Sequence, residues 1–285
     1  MAISLKLTKP TLVKSLLAQY GLRPSKGLGQ NFLINEHHLQ QIVAAADVQP
    51  NDVVIEIGPG LGVLTQELAL VAARVIAIEK DQRLEPLLAE TLEHCSQVEL
   101  LFEDALQVDY QQLVCGATSS KVVANLPYYI TTPLIMRLLE QGVAWRSLVL
   151  LVQKEVAERM TATPGSKEYG LLGVMIQCRY RVEVVSQIPA TAFYPAPKVA
   201  STVVKLVAST EVDDGNSQSW LWQVLRSAFG QRRKTLLNAL SSNLKLPKEE
   251  ISTVLTNLGL EIGVRGENLT PEQFIDLANG LAKGM

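Results

Sequence analysis

The chain has 285 residues, of which 47% are apolar and 19% charged, and a formal net charge of −2. That composition buries an ordinary core in one large domain or two smaller ones and excludes a chain disordered overall. It also gives no global electrostatic case for nucleic acid, so a polyanion site must be a local patch. The charge is nevertheless polarised. Lys6, Lys9, Lys14, Arg23 and Lys26 all precede the first acid, Glu36; Arg232-Arg233-Lys234 forms a second basic cluster; and residues 79–109 carry nine acids against Lys80 and Arg83. Cys95, Cys115 and Cys178 are scattered, which suits small buried side chains in a reducing, cytoplasmic setting. His37, His38 and His94 complete no ligand set, so no metal is expected. No run approaches the roughly 18 apolar residues of a membrane span, and no secretory signal is read.

Residues 10–20 read as a helix closed by Gly21, and 25–33 as a glycine-containing loop. Asn35 caps a helix over 36–46 with Leu39, Ile42 and Val43 on one face. Val53-Val54-Ile55-Glu56-Ile57 is a strand, followed by Gly58-Pro59-Gly60-Leu61-Gly62 and a helix over about 63–71. Further strands end at Glu79, at Glu103-Asp104 and, after residues 121–124, at Asn125. A helix over roughly 81–93 separates the first two of these ends. Thr131 or Thr132 caps a helix to about 140, and 148–152 is another buried strand. This alternation predicts an α/β fold with a parallel, doubly wound sheet. The pattern then breaks, with helices over 153–161 and about 169–177 and strands near 180–188 and 201–207. The stiff segment Phe193-Tyr194-Pro195-Ala196-Pro197-Lys198 lies between those strands. Residues 209–219 are polar and turn-rich, which divides the chain into a catalytic domain over 1–210 and a smaller all-helical domain over 211–285. Helices are expected near 219–229, 233–242, 248–257 and 271–282.

The chemistry gathers where strands end. The glycine turn lets a ligand approach the backbone and exposes N–H groups; its bland alternative is a tight strand-to-helix turn. The dinucleotide pattern G-x-G-x-x-G fails at Val63, which disfavours a nicotinamide-dependent dehydrogenase. Glu79, about twenty residues after Gly58, can accept ribose hydroxyls. Asp104 can accept from an adenine amino group. A crevice for ribose and adenine without a diphosphate suits S-adenosylmethionine, with S-adenosylhomocysteine as product.

Asn125-Leu126-Pro127-Tyr128 supplies an amide, a carbonyl left unpaired by the strand-ending proline, and a phenol. Two acceptors, the Asn125 side-chain oxygen and the Leu126 carbonyl, would take both hydrogens of an adenine N6 and localise its lone pair. Tyr128 would stack on the ring.

Asn125 to Tyr128 and Glu56 to Gly62, with Gly29-Gln30-Asn31-Phe32-Leu33, Phe193-x-Pro195-x-Pro197-Lys198-Val199-x-Ser201 and Phe229-x-Gln231-Arg232-Arg233-Lys234-Thr235-Leu236, resemble the KsgA (RsmA) family of small-subunit rRNA adenine dimethyltransferases. The resemblance runs from about residue 20 to the C-terminus, and residues before about 10 read as an unmatched, mobile extension. It implies a Rossmann-like methyltransferase sheet and dimethylation of two adjacent adenines in the 3′-terminal hairpin of 16S rRNA, within the small subunit or its precursor, by a monomer. It implies that Asn31 and Leu33 close over the methionine end of the cofactor, with Gly58 and Gly60 against it and Glu79 and Asp104 on ribose and adenine. Asn125 would serve both cofactor and target. Phe193 would be the second face of an aromatic clamp on a flipped base, its alternative being a core aromatic. Lys198, Arg232, Arg233 and Lys234 would contact RNA phosphates, their alternative being a solvated charge run. The competing functions are a 23S rRNA adenine dimethyltransferase of the macrolide-resistance type and a non-catalytic ribosome-assembly factor.

Overall fold

The structure, a computed structural model, describes residues 7–209, 216–231 and 233–282, without the side chains of 216–218. Its elements in order are α1 (Pro10–Gln19), β1 (Phe32–Leu33), α2 (Glu36–Ala46), β2 (Val53–Ile57), α3 (Val63–Ala69), β3 (Arg74–Glu79), α4 (Glu85–Thr91), β4 (Val98–Phe102), α5 (Tyr110–Leu113), β5 (Ser120–Asn125), α6 (Thr131–Glu140), β6 (Ser147–Gln153), α7 (Lys154–Met160), α8 (Leu171–Gln177), β7 (Tyr180–Ile188), β8 (Phe193–Tyr194), β9 (Ser201–Ala208), α9 (Asn216–Gly230), α10 (Leu236–Leu244), α11 (Lys248–Asn257) and α12 (Pro271–Ala282). By its internal contacts the chain divides into two units. One comprises Met1–Ala157 and Glu183–Val207, the other Glu158–Val182 and Ala208–Met285. The segment 158–182, which precedes the turn-rich linker, therefore groups with the C-terminal helices.

The first unit is built on a sheet of order β4-β3-β2-β5-β6-β9-β7. β4 to β6 run parallel, and β9 is antiparallel to β6. The α/β class and the helical C-terminal part follow the sequence reading; the antiparallel edge is an addition to a sheet expected to be parallel. β5 and β6 are almost wholly buried, as strands covered on both faces require. β5 nevertheless opens with a buried cation. The Lys121 ammonium is 2.9 Å from a carboxylate oxygen of buried Asp52. It also donates to the carbonyls of Ala46 and Asp47 at the C-terminal end of α2, where a helix favours positive charge. Ser119 Oγ completes the group, 2.5 Å from Asp52 Oδ1. This network ties α2, β2 and β5 together at the sheet edge opposite the strand ends that carry chemistry.

Three local features depart from the sequence reading. A two-residue ribbon pairs β1 with β8, Phe32 opposite Tyr194 and Leu33 opposite Phe193. The peptide bond after Tyr194 is cis. Residues 7–9 are not a loose extension: Leu7 is 1% exposed and joins a cluster with Phe32, Leu61 and Leu84, and Thr8 Oγ1 donates to Glu36 at 2.9 Å.

The helical unit has its own core. The Phe229 ring lies 6.0 Å from Tyr169 and 5.8 Å from Phe274, and the Tyr169 hydroxyl donates to the Leu269 carbonyl. Among the described residues no helix is long and apolar enough to cross a membrane.

Removing the buried cation leaves the buried Asp52 carboxylate without its charge partner. Lys121→Ala is expected to lower unfolding free energy by roughly 3–5 kcal/mol in urea titration; a loss below about 1 kcal/mol would show that the network does not hold the sheet.

Candidate functional site

Five parallel strands deliver their C-terminal ends to one edge, where open α/β sheets bind ligands. A cavity of about 710 Å³, counted with its open mouth, lies there. Asn31, Gly58, Gly60, Glu79, Asp104, Asn125, Leu126 and Tyr128 all line it. A second cavity of about 460 Å³ shares Phe32, Gly58, Gly60 and Asn125 with the first and adds Leu7, Leu33 and Glu56. The residues expected to hold a cofactor thus surround two adjoining spaces, and Asn125 borders both.

The glycine turn between β2 and α3 is shaped by its neighbours. Gly60 has φ +60, which strains any other residue, and a Cβ there would sit 3.0 Å from the Phe32 ring, which would have to give way. Gly58 has φ +72, and a Cβ there would lie 3.6 Å from the Asn125 carbonyl oxygen. The glycine N–H groups of the turn are not left free as expected. Gly58 N donates to the Ile78 carbonyl, Gly60 N to Glu79 Oε2 at 3.3 Å, and Gly62 N to the Pro59 carbonyl. A turn whose glycine donors are spent internally is a poor cradle for pyrophosphate, in keeping with the absence of the dinucleotide pattern.

Glu79 ends β3 and is 7% exposed. Burial raises its pKa, with nearby Asp81 adding like charge, against hydrogen bonds from the backbone N–H groups of Asp81 and Gly60. Asp104 is held below the usual carboxylate range by the Lys80 ammonium, 2.6 Å from its Oδ2, and by the Leu106 N–H. Each carboxylate oxygen keeps a further lone pair for a ligand. Glu56 went unassigned in the sequence reading although it opens the glycine motif. It is 1% exposed, and its Oε2 has no hydrogen-bond partner. Burial pushes its pKa up to about 8, with the nearby Thr65 hydroxyl acting against that and neighbouring Glu79 adding to it. An orphaned buried carboxyl lining a mostly apolar cavity fits a ligand that brings its own positive charge.

The loop before β1 roofs the first cavity and is fixed by its own side chains. Gln30 accepts from Ser25 N at 2.8 Å and donates to Asp81 Oδ2 at 2.9 Å. Asn31 Nδ2 donates to the Gly29 carbonyl, and the Asn31 carbonyl accepts from Asn125 Nδ2 at 3.1 Å. That contact fixes the orientation of the Asn125 carboxamide, and its oxygen, on which no hydrogen bond among the described residues ends, is the acceptor it can offer a ligand. Leu126 N donates to the Leu151 carbonyl of β6, and no hydrogen bond among the described residues ends on the Leu126 carbonyl. Beyond Pro127 the chain tightens into a 3₁₀ turn over Tyr128–Ile130, and the Pro127 carbonyl accepts from Ile130 N and Thr131 Oγ1. Thr131 therefore does not cap α6 as expected; its hydroxyl turns back to brace the turn. Tyr128 lies against the cavity, with its hydroxyl 2.7 Å from Ser201 Oγ.

Other expected residues lie elsewhere. Phe193 is 3% exposed, belongs to the core cluster with Leu33, Ile188 and Val203, and is absent from the lining of both cavities. Its place is that of the core aromatic, because pairing with β1 turns this residue inward. Lys198 is exposed on the segment before β9. In the helical unit, Arg233 and Lys234 are exposed in a turn rather than on the helix expected from 233, because Thr235 is the N-cap and α10 begins at Leu236. Arg232 lies outside the described residues. Lys234 lines a groove of about 630 Å³ with Asn238, Ser241, Ser242 and Lys248.

The sheet order, the glycine turn after β2 and the carboxylates ending β3 and following β4 define a Rossmann-like methyltransferase with a nucleoside cofactor. The model of the family described as ribosomal RNA adenine dimethylase matches residues 22–283. The chain belongs to that family. It is 46% identical to "Ribosomal RNA small subunit methyltransferase A" of Moorella thermoacetica, over 95% of this chain and 97% of that one. It is 40% identical to the protein of the same name in Natranaerobius thermophilus, over 96% of each. Among solved structures, it matches a dimethyladenosine transferase from Plasmodium falciparum with a TM-score of 0.73 and 31% identity, covering 86% of this chain and 95% of that one. The 23S rRNA methyltransferase ErmE matches with a TM-score of 0.66 and 26% identity, covering 88% and 100%.

Glu56 makes a prediction about pH. With its folded pKa above its unfolded value, the protein binds the extra proton in the folded state between about pH 4.5 and 8. That stabilisation is complete below the lower value and is lost as pH rises through the upper one. Glu56→Gln is therefore expected to gain melting temperature over the parent progressively from pH 5 to 8.5. A gain independent of pH would contradict the protonated, buried carboxyl.

Proposed function

We propose that this chain, as a cytoplasmic monomer, transfers methyl groups from S-adenosylmethionine to the N6 amines of two adjacent adenosines in the 3′-terminal hairpin loop of 16S rRNA, in the small subunit or its precursor. The observation that carries this reading is the Asn125 carboxamide: it borders both cavities, and its orientation is fixed by donation to the Asn31 carbonyl. The names of the relatives at 40% and 46% identity support a small-subunit substrate over the 23S reading.

When bound, S-adenosylmethionine supplies an electrophilic methyl group. In this proposal Glu79 accepts the ribose hydroxyls and Asp104 the adenine amino group. Asn31, Leu33 and the turn at Gly58 and Gly60 enclose the methionine end, and the Glu56 carboxyl meets its positive charge. The target adenine stacks on Tyr128. Its two N6 hydrogens point to Asn125 Oδ1 and the Leu126 carbonyl, which draws the nitrogen lone pair out of the ring and aims it at the methyl group. No strong base is required, because the methylated nitrogen is acidic and its proton leaves to water. Phe193 serves as a second stacking face if its ring leaves the core cluster as the base enters. Lys198, Arg232, Arg233 and Lys234 contact phosphates, and the groove beside Lys234, free of carboxylates in its lining, suits an RNA backbone.

The direct test is transfer of labelled methyl groups to unmethylated small subunits, with the product mapped. Dimethyladenosine at two adjacent positions near the 3′ end is expected; label only on large subunits, or none, would overturn the proposal. Asn125→Ala is expected to abolish both methylations, a loss of at least about 10²–10³-fold. Ile130→Phe, which crowds the cavity two residues beyond Tyr128, slows the second transfer more, since the monomethylated amine has one hydrogen left and must turn its methyl aside. Mass spectrometry would then find excess monomethyladenosine; its absence would refute the paired acceptors. Arg233→Ala and Lys234→Ala are each expected to weaken RNA binding and reduce the slope of log K against log salt by about one, and an unchanged slope would remove these residues from the interface.

A further inference from the structure

Ser201 closes the proline-rich motif and is a residue that no step above uses. It opens β9, pairs with Gln153 at the end of β6, and is fully buried. Successive strand residues face opposite sides of a sheet. Its neighbour Thr202 leaves a buried hydroxyl without a partner, whereas Ser201 Oγ lies 2.7 Å from the Tyr128 hydroxyl. The Tyr128 ring is thus held at both ends. Its backbone sits in the 3₁₀ turn braced by the Pro127 carbonyl, and its phenol is tied to the first residue of an antiparallel strand. A ring pinned this way has little freedom to rock, so a base lying on it takes one tilt.

We propose that Ser201 is a positioning residue: through the Tyr128 hydroxyl it sets the angle at which the target base stacks, and so the aim of the base's amine. This rests on the reading of Tyr128 as the stacking face. In that reading the reacting nitrogen's own hydrogens go to Asn125 and Leu126, and the hydroxyl pair takes no part in the transfer itself. Ser201 therefore acts on turnover through alignment, not on cofactor binding. A reacting pair displaced by a fraction of an ångström loses rate while the ligands still bind.

The experiment is a cycle of Ser201→Ala, Tyr128→Phe and the double variant, with Ser201→Thr as the conservative control. Methyl transfer to unmethylated small subunits is measured together with cofactor affinity by calorimetry. Ser201→Ala is expected to lower kcat about tenfold, raise the share of monomethyl product, and leave cofactor affinity within about twofold. Ser201→Thr restores most of the rate. In the Tyr128→Phe background, Ser201→Ala changes kcat less than twofold, because the bond it breaks is already gone. The proposal is overturned if Ser201→Ala matches the parent, if its effect persists undiminished beside Tyr128→Phe, or if cofactor affinity falls in step with rate. Should Ser201→Ala fail to fold, Tyr128→Phe reads the same bond from the other side, and full activity there overturns the proposal. Failure of the functional reading is distinct, since the parent protein would then leave small-subunit adenines unmethylated.

Discussion

The orientation of one carboxamide governs the site. An asparagine side chain can offer either end to a ligand, and the two ends have opposite chemistry. Asn125 is denied that choice by the Asn31 carbonyl, which takes its nitrogen at 3.1 Å. The carbonyl is in turn fixed by a loop that Gln30 fastens to Asp81 and that Asn31 braces through Gly29. The acceptor oxygen, the neighbouring Leu126 carbonyl and the Tyr128 ring then follow from where β5 stops. Pro127 ends the ladder, and the turn behind it closes on the proline's own carbonyl.

This arrangement carries an energetic burden that the rest of the sheet offsets. Glu56 and Glu79 are both buried near this edge, on adjacent strands; burial makes each hard to ionise, and the Glu79 charge adds to the difficulty at Glu56. Core positions of this kind are ordinarily apolar. Polar groups held in costly states are characteristic of sites shaped for a ligand. At the opposite edge the buried Lys121 and Asp52 are matched to each other and to the end of α2. The contrast is informative: one buried charge is fully partnered within the protein, while the Glu56 carboxyl keeps an oxygen unpartnered.

Much of this was legible in the sequence. β3 and β5 are apolar runs ending in Glu79 and Asn125, and the Gly58–Gly62 turn marks where helix follows strand after β2, so the sheet edge and the residues that line its cavity there could be read from local pattern. What could not be read depends on contacts distant in the chain. The bond from Asn125 to Asn31 joins residues 94 apart. The β1–β8 ribbon has two residues a side, too short for periodicity to register, yet it decides that Phe193 faces the core. Leu7 looked like part of a loose basic leader because its burial depends on Phe32 and Leu61. The start of α10 was misplaced for a local reason: Thr235 is a better N-cap than the basic residues before it.

The most direct measurement is a crystal structure of the protein with S-adenosylhomocysteine and a short adenosine-containing RNA. The account predicts the target N6 within about 2.7–3.2 Å of both Asn125 Oδ1 and the Leu126 carbonyl, its ring on Tyr128, and the cofactor sulfur beyond the amine. An Asn125 carboxamide turned to present its nitrogen, or an adenine bound away from this edge, would contradict it.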